Sequence, residues 1–550
     1  MADRGIRLLF EADCRSKEPG ISALDEKLRV IVKDVPPSVV MFLIALPLSM
    51  GIARASGVPV MLGLITAVVG GVLVGFLGSA PLQIAGPSAG LSVLMLEWVL
   101  AYRNEEDPYG LMSLAVIVMI AGAIQAAAGL MKFGTYFRAV SPAVIRGMVA
   151  GIGVIIVAKQ FHVMIGNDVE GSVLYNIVQI PAGVLKAVTT GGDRTHYIAA
   201  LIGVATLLTI VLWDRFRPAR LHFLPGALMG VLVASIAAAV LRLPIDYVVV
   251  KNSLFEYVTL PSAGSLSKLM ETRIWISGVA LAFVASAETL LCSTAVAQMH
   301  QRGGRTNYDR ELAAQGLGNL VCGALGSLPI AGVISRSTAN VEAGAHSKWS
   351  SIMHATWIFL FVVLLPGLLG FVPESALAAI LIYVGIRLVQ VSTLGKLLGY
   401  GWPVFGIYLA TVTGIVAIDL LTGIVIGLVL STLRLVYSLA HLDIDRVDRD
   451  ERIELHLHGA ATFLALPRLA AALEEIPPGT ELHMHFDELD FIDHACLDLI
   501  AAFQLRHNES GGRVVMEWRS LIGRYTRGGI RAATRRNSLI PSPPPPPKEE

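Results

Sequence analysis

Stretches of apolar residues long enough to cross a lipid bilayer recur along most of this chain. In lipid, every backbone polar group must be paired internally, so only helices and closed barrels span a membrane. With 54% hydrophobic and 15% charged residues, the chain is too apolar for an ordinary soluble protein. We therefore predict a polytopic α-helical membrane protein. The apolar stretches lie at about 38–56, 59–77, 87–101, 111–131, 140–165, 197–213 and 222–241, then at about 274–298, 313–328, 335–346, 351–371, 374–393, 403–420 and 422–440.

The two sets of seven stretches carry a matching interruption. Residues 75–81 read Gly-Phe-Leu-Gly-Ser-Ala-Pro and residues 323–329 read Gly-Ala-Leu-Gly-Ser-Leu-Pro, and each copy leads into the third stretch of its set. Glycine and proline in corresponding apolar segments are typical of broken helices that face each other at a midplane binding site. Because seven is odd, the second set enters from the opposite side. The predicted fold is 14 transmembrane helices in a 7+7 inverted repeat, with broken third and tenth helices.

Helices that begin inside the membrane at these interruptions would form an anion site. A helix start exposes unpaired N–H groups and the positive end of its dipole. Two such ends facing each other attract an anion, and small side chains let it approach the backbone. The competing interpretation is ordinary helix capping and close packing by small residues. The predicted substrate-binding residues are Pro87, Ser88, Ala89, Gly90, Ile334, Ser335, Arg336 and Ser337.

Two of the charged residues within the apolar stretches are candidates for a functional role. A fixed cation in a span is costly, so Arg336 is expected to face an anion or a carboxylate. Glu288 places a carboxyl deep in the eighth stretch. Its role stays open at this point, because burial alone permits a proton carrier, a sodium ligand or a static partner of Arg336.

Polar sequence flanks the apolar region. The start of the chain is too polar for a cleaved signal peptide and is expected to be a cytoplasmic arm that ends at Pro36 and Pro37. After the last stretch, a charged segment precedes alternating strand and helix patterns, which indicate a small α/β domain. The end of the chain is rich in proline and predicted to be disordered. These patterns give an arm at 1–36, a transmembrane domain at 37–440, a linker at 441–452, an α/β domain at 453–525 and a tail at 526–550.

Charge in the loops predicts the orientation of the protein. Lys and Arg concentrate near residues 132–138, 215–220 and 302–310, whereas the loop at 103–107 is acidic. Positively charged short loops stay in the cytoplasm. We therefore expect a multi-pass protein of the inner (plasma) membrane, in contact with lipid, with both termini cytoplasmic.

Several function classes are disfavoured by composition. The four cysteines show neither a disulfide framework nor metal-ligand spacing. No basic stretch is interleaved with aromatic residues, as nucleic-acid binding requires. We expect no metal, no cofactor, no nucleic-acid partner and no enzymatic activity.

The motifs around the interruptions carry a family resemblance. Residues 288–350 contain Glu-Thr-Leu-Leu, Asp-Arg-Glu-Leu-Ala-Ala-Gln-Gly-Leu-Gly-Asn and Leu-Pro-Ile-Ala-Gly-Val-Ile-Ser-Arg-Ser. Together with Ala-Leu-Pro-Leu-Ser-Met-Gly-Ile-Ala at 45–53 and Ile-Ala-Gly-Pro-Ser-Ala-Gly at 84–90, they resemble the SulP (solute carrier 26) family of anion transporters. Residues 491–497, Phe-Ile-Asp-His-Ala-Cys-Leu, resemble the STAS domain that ends many such proteins. The resemblance covers about residues 30–525.

The resemblance implies a core-and-gate architecture, with spans one to four and eight to eleven as the core and the remaining spans as the gate. Substrate would lie between the third and tenth spans, and the core would move against the gate like an elevator. Members usually form homodimers and carry bicarbonate, sulfate, chloride or dicarboxylates. The sequence around Leu46 and around Glu288 resembles that of bacterial bicarbonate-type and sulfate-type members most.

Two departures from the family pattern matter. Sodium-coupled bicarbonate members have Asp where this chain has Glu288, and Thr where it has Cys292. A thiol is a poor sodium ligand beside oxygen atoms, which favours proton coupling over sodium. At the STAS-like loop, His494-Ala495-Cys496 offers no phosphorylatable serine, so a docking or dimer-supporting role is expected there.

The sequence therefore predicts a secondary active transporter of small inorganic anions, bicarbonate or sulfate, working by an elevator mechanism and coupled to protons. The alternatives are a sodium-coupled bicarbonate symporter, a dicarboxylate transporter, a nucleobase permease of the same fold and an anion channel.

Overall fold

The computed structural model of the protein describes residues 23–104, 107, 109–135, 141–167, 169, 171–189, 194–218, 221, 223–250, 254–261, 267–299, 306–389, 392–449, 452–486 and 489–516. Most of the predicted arm, the whole predicted tail and several basic loop residues lie outside this part, among them Arg138, Arg220, Arg302 and Arg305. The chain divides into two units, Met1–Gly427 and Leu428–Glu550.

Apolar runs make the described part of the first unit almost entirely helical. Its helices are α1 (Ala23–Ala55), α2 (Val60–Val69, continued by a π-helical turn at Gly70–Val74 and an α-helical turn at Gly75–Leu77), α3 (Ala89–Tyr102), α4 (Leu111–Leu130), α5 (Pro142–Met164), α6 (Val173–Thr189), α7 (Arg194–Phe216), α8 (Gly226–Leu241), α9 (Thr272–Met299), α10 (Tyr308–Ala324), α11 (Ile334–Glu342), α12 (Trp349–Leu364), α13 (Glu374–Val389), α14 (Ser392–Gly399) and α15 (Trp402–Ala417). Short helical turns lie at Leu254–Tyr257, Lys268–Met270 and Pro366–Leu369, and short strands at β1 (Ala85–Pro87) and β2 (Ile330–Gly332). Helix α16 (Leu420–Ala440) begins in the first unit and ends in the second.

The helices agree with a multi-pass membrane protein. Seven of those described are long and apolar enough to cross a bilayer, and five more apolar helices are 10–17 residues long. A helix lies at each of the fourteen predicted apolar stretches. The third and tenth stretches hold short helices, α3 and α11, each of which follows a strand. Helices α6 and α14 were not predicted.

The start of α1 corrects the prediction of a surface arm that ends at residue 36. The helix runs without a break through Pro36, Pro37 and Pro47. Ser38 donates its hydroxyl to the carbonyl of Val35 at 2.7 Å, within the same helix. Asp34 is fully buried and accepts a hydrogen bond from the backbone N–H of His346 at 2.7 Å. Residues 23–36 are therefore helical, and Asp34 lies in the packed interior.

Glycines allow α4 and α10 to pack with their backbones in contact. A Cβ on Gly316 of α10 would lie 2.2 Å from the backbone nitrogen of Ala126 in α4. A Cβ on Gly122 of α4 would lie 2.5 Å from the nitrogen of Leu320 in α10. Close approach through small residues is how helices associate where lipid gives no hydrophobic driving force. This contact fixes α10, a helix with several polar side chains, against α4.

The second unit contains a five-stranded sheet with helices between its parallel strands. Its elements are β3 (Leu442–Arg449), β4 (Arg452–Ala461), α17 (Leu466–Glu474), β5 (Glu481–His485), β6 (Leu489–Ile492), α18 (His494–Glu509) and β7 (Arg513–Met516). The strand order is β3-β4-β5-β7, with β6 also paired to β4. Strand β3 is antiparallel to β4, whereas β5 and β6 are parallel to β4 and β7 is parallel to β5.

Strand β3 corrects the prediction of a linker at residues 441–452. It pairs with β4 along its whole length, from Leu442 opposite Gly459 to Arg449 opposite Arg452. Only Leu442 is buried on this edge strand, and most of its residues are exposed. Charged side chains are common on edge strands because they oppose pairing with other chains. The charges that suggested a linker therefore belong to the edge of the sheet.

We predict that Gly316→Ala weakens the packing of α4 against α10. The added methyl group meets backbone atoms that cannot rotate away, so the free energy of unfolding should fall by about 1–3 kcal/mol. The control is Gly406→Ala in α15, where a Cβ meets no atom within 4 Å; alanine there should be neutral or stabilising by about 0.5–1 kcal/mol. Thermal unfolding of the purified protein in detergent, followed by tryptophan fluorescence, compares the two. Equal melting temperatures would show that the helices can separate at no cost.

Candidate functional site

A short antiparallel ribbon joins the two interrupted segments. Strand β1 pairs with β2, with Ala85 opposite Gly332 and Pro87 opposite Ile330. All six residues of the ribbon are buried. Backbone groups at membrane depth must be paired, and the pairing of one broken segment with the other meets part of that requirement. Because each strand continues into a helix, α3 and α11 begin from opposite ends of the same ribbon.

The helix starts line a small cavity. Its volume is about 80 Å³, well below the roughly 300–1,000 Å³ of sites for drug-sized ligands. One side is formed by the helix starts, the end of β2 and α9; the facing side is apolar and comes from α5 and α13. The lining residues are Ser88, Ala89, Gly90, Glu288, Leu291, Gly332, Val333, Ile334 and Ser335, faced by Val149, Ile152, Val384 and Leu388.

Glu288 lies over the start of α3. Its Oε2 atom accepts a hydrogen bond of 2.6 Å from the hydroxyl of Ser88, the residue that caps α3. Ser88 in turn accepts from the backbone N–H of Gly90 at 3.2 Å. A Cβ on Gly90 would lie 1.8 Å from Oε1 of Glu288, so this close approach requires glycine. The carboxyl group therefore occupies a position where a helix dipole favours negative charge.

Arg336 lies beside the cavity rather than on its lining. Its side chain is 1% exposed, and Nη1 lies 3.2 Å from the place that a Cβ on Gly86 would take. None of its three guanidinium nitrogens has a hydrogen-bond partner within the described residues. A static ion pair with Glu288, one of the alternatives left open by the sequence, does not form among those residues, because Glu288 bonds to Ser88 instead. Within the described part of the chain, the guanidinium is thus an unpaired charge packed against the ribbon.

Two further predicted residues do not line the cavity. Pro87 is the last residue of β1 and belongs to the ribbon. Ser337 is fully buried and accepts from the backbone N–H of Ile84 at 2.9 Å, while its hydroxyl donates to the carbonyl of Val333 at 2.8 Å. It therefore ties the approach to β1 onto the first turn of α11. The cavity brings together Ser88, Ala89, Gly90, Glu288, Ile334 and Ser335 from the predicted set.

Polar residues of α9 and α10 hold the ribbon in place. The side-chain oxygen of Asn319 accepts from the N–H of Ile330 at 2.6 Å, and Gln315 donates to the carbonyl of the same residue at 2.8 Å. The hydroxyl of Thr289 accepts from the N–H of Gly332 at 2.8 Å. These side chains form hydrogen bonds with backbone N–H and C=O groups of the ribbon that the pairing of β1 with β2 does not use. Gln315 and Asn319 were not among the predicted site residues, although two amides four residues apart in an apolar stretch were a visible signal.

Glu311, near the start of α10, is a charged residue in the packed interior. Its side chain is 1% exposed. It accepts hydrogen bonds from the backbone N–H groups of Ser79 and Ala80, at 2.6 and 2.9 Å, and from Gln83 at 3.1 Å. A buried carboxylate that accepts several hydrogen bonds provides a partner for backbone N–H groups of a turn that would otherwise have none. Glu311 thus anchors the first Gly-x-Leu-Gly-Ser-x-Pro segment to α10.

Comparisons with known proteins agree with this architecture. Residues 31–411 match the sulfate permease family. "Probable sulfate transporter Rv1739c" of Mycobacterium tuberculosis is 24% identical over 398 residues, covering 72% of this chain and 68% of that protein. "Bicarbonate transporter BicA" of a Picosynechococcus species is 24% identical over 436 residues, covering 75% and 72%. The solved inward-facing structure of murine Slc26a9, an anion transporter, matches with a TM-score of 0.74 at 16% identity, covering 95% of this chain and 94% of that one. This structural likeness shows a shared fold.

We predict that Arg336→Met leaves the protein as stable as the natural chain or makes it more stable. Burying a charge without a partner costs free energy, and well-packed apolar replacements of buried charges are often neutral or stabilising by about 1–4 kcal/mol. The control is Arg273→Met at the exposed start of α9, which should change little. Melting temperatures in detergent test this. A marked drop for Arg336→Met alone would mean that the guanidinium has a structural partner.

Proposed function

This chain belongs to the sulfate permease family, and we propose that it is a secondary active transporter of small inorganic anions, bicarbonate or sulfate, coupled to protons. The observation that carries the proposal is the pair of helix starts that line one cavity of about 80 Å³. The N–H groups and dipoles at helix starts attract an anion. Arg336, packed against the ribbon without a partner among the described residues, adds a full positive charge in a medium that screens it weakly.

The cavity lining favours a small anion over a nucleobase. Its polar side chains are two hydroxyls and one carboxyl, and the rest of the lining is apolar or glycine. A nucleobase site would be expected to offer amides or several carboxylates that read the edges of the base. Recognition here falls mainly to backbone N–H groups, which suit a compact oxyanion.

Glu288 supports proton coupling because its carboxylate would compete with the transported anion for the start of α3. Its carboxyl lies at the start of α3, where the transported anion would gain most from the helix dipole. An ionised carboxylate there repels the anion, and a protonated one does not. Protonation of Glu288 would therefore admit the anion, and loss of the proton would expel it, so that the two move together.

Chemistry favours sulfate if the proton moves with the anion. Symport of one bicarbonate with one proton carries the same atoms as carbon dioxide and water, which cross lipid unaided. Sulfate and a proton do not form species that cross lipid unaided. Sodium is disfavoured because Cys292 is fully buried, and its sulfur lies 3.2 Å from the hydroxyl of Ser337 rather than facing the cavity.

The finer architecture belongs to the same proposal. We infer fourteen spans in an inverted repeat, a core of spans one to four and eight to eleven, and elevator-like movement of that core against the gate. The side of the cavity formed by α5 and α13, with Val149 and Val384, is apolar and offers the substrate no polar group. Such a surface suits sliding of the core against the gate. Arg54 of α1 and Glu374 of α13 form an ion pair of 2.6 Å, which would cross the boundary between core and gate and must break when the core moves.

The remaining expectations complete the proposal. The second unit is proposed to be a STAS domain on the strength of its β-α-β order and of residues 491–497. We further propose a homodimer in the inner membrane with both termini cytoplasmic, without cofactor or enzymatic activity.

An uptake panel in proteoliposomes tests the function. Sulfate, chloride, fumarate and bicarbonate are offered with and without sodium, and sulfate also with an inward proton gradient. We expect saturable sulfate uptake that the proton gradient accelerates and sodium leaves unchanged. Arg336→Met should lower this uptake severalfold, since it removes the fixed positive charge. A requirement for sodium, a preference for fumarate or an uncoupled anion current in a bilayer would each favour the corresponding alternative over this proposal.

We predict that Glu288→Gln uncouples uptake from the proton gradient. Glutamine keeps the hydrogen bond to Ser88 but cannot change charge, so anion uptake should persist and lose its acceleration by an inward proton gradient. The control is Glu342→Gln at the exposed end of α11, which should keep the acceleration. The measurement is initial sulfate uptake at fixed internal pH over a series of external pH values. Acceleration that survives in Glu288→Gln rules out this carboxyl as the proton site.

A further inference from the structure

One face of the sheet in the second unit is rich in histidine. Residues 455–458 of β4 read Leu-His-Leu-His, and residues 482–485 of β5 read Leu-His-Met-His. Side chains of a strand point alternately to opposite faces, and the leucines and the methionine belong to the buried core. The histidines therefore share the other face, where they are partly exposed. This histidine face consists of His456, His458, His483 and His485.

The strand register brings two of these histidines and a carboxylate together. His456 pairs with His485 across the parallel strands, and their rings stack with centroids 4.5 Å apart and planes 11° apart. Glu454, two residues before His456, lies on the same face. One potential ligand atom from each of the three residues lies within 4.8 Å of the other two. The arrangement is fixed by backbone pairing in a sheet, which positions ligands better than a loop does.

We propose that Glu454, His456 and His485 bind a divalent transition-metal ion, with Zn²⁺ as the representative. Two imidazole nitrogens and one carboxylate oxygen suit Zn²⁺, Co²⁺ or Ni²⁺. Ca²⁺ and Mg²⁺ prefer all-oxygen ligand sets. Three protein ligands leave a fourth position for water or for Asp445, which lies opposite His456 on β3.

The site can close by side-chain rotation alone. Bonds of about 2.0–2.2 Å to Zn²⁺ place tetrahedral ligands about 3.3 Å apart. The Nε2 atom of His456 already lies 3.9 Å from Oε2 of Glu454. Because register sets the backbone positions, small changes in side-chain torsions bring the ligand atoms to bonding distance.

Two arginines pair with Glu454, one on each carboxylate oxygen. Arg449 lies 3.2 Å from Oε2, the oxygen that approaches His456, and Arg452 lies 2.9 Å from Oε1. The side chain of Arg449 is 58% exposed and that of Glu454 is 9% exposed, so Arg449 can turn into solvent when a cation takes its place. A metal ion would replace Arg449 at Oε2, while Arg452 can stay on Oε1 and hold the carboxylate in place.

The spacing of the cysteines, from which no metal site was expected, carries no information about these histidines. The signal for this site is the His-x-His pair in each of two predicted strands. One such pair puts two imidazoles on the same side of a strand, and two paired strands bring four together. The proposal concerns the second unit and does not depend on which anion is carried.

Zinc binding to the full-length protein, purified in detergent with any affinity tag removed, tests the proposal. Isothermal titration with Zn²⁺ should give one ion per chain with micromolar or tighter affinity. Bound Co²⁺ should show the visible d–d absorption of a nitrogen–oxygen site. The variant His456→Asn/His485→Asn should weaken Zn²⁺ binding by about a hundredfold or more, because two of three ligands are lost. The matched control, His494→Asn at an exposed position of α18, should bind Zn²⁺ as the natural chain does.

Folding is checked by comparing the metal-free variants with the natural chain by circular dichroism and thermal unfolding. If the double variant does not unfold cooperatively, the single variants His456→Asn and His485→Asn give the same test, each with a smaller loss. Unchanged stoichiometry and affinity in folded His456→Asn/His485→Asn overturns the proposal. An equal loss in His494→Asn overturns it as well, since the binding would then not belong to the histidine face.

Discussion

The pairing of β1 with β2 is the interaction on which the rest of the candidate site depends. A helix that stops inside an apolar region leaves backbone groups that lipid cannot satisfy, and each costs several kcal/mol, on the order of a lost hydrogen bond in hydrocarbon. Here each broken segment pairs with the other, and Asn319, Gln315 and Thr289 take up groups that remain. Neither interruption is satisfied alone, so the two halves of the chain must fold together for either helix start to exist.

The two helix starts that this ribbon positions are chemically unequal. Helix α3 has a side-chain cap, Ser88, which also bonds to Glu288. Helix α11 has Val333 in the capping position and no side-chain cap, and its charge comes from Arg336 in the first turn. The negative group thus lies at the first start and the positive group at the second. On the proposed mechanism, proton exchange belongs to the first half of the repeat, and constant attraction for anions belongs to the second.

Much of this could be predicted from sequence, since lipid imposes simple rules. The apolar stretches, the two interruptions and the position of Glu288 within an apolar helix follow from hydropathy and from residues that break helices. The errors come from residues whose partners lie far away along the chain. Asp34 and Glu311 are charged, and local pattern puts them at the surface, but each accepts N–H groups from a segment more than 200 residues away. The charged residues of β3 likewise led to the prediction of a linker in place of a strand. Edge strands carry charges because these oppose pairing with other chains, and local strand propensity does not reveal this.

The position of Arg336 was the hardest to predict and changes how the site would act. A guanidinium in the cavity would form a direct, bidentate pair with an oxyanion and hold it tightly. Transport requires binding that is favourable enough to admit the ion and weak enough to release it. On the proposed mechanism, the charge packed against Gly86 attracts an anion through the low-dielectric interior without bonding to it. Attraction would then be long-ranged, and contact would be left to backbone N–H groups. The cost of a buried cation that has no partner among the described residues would be offset by a site that the anion can leave.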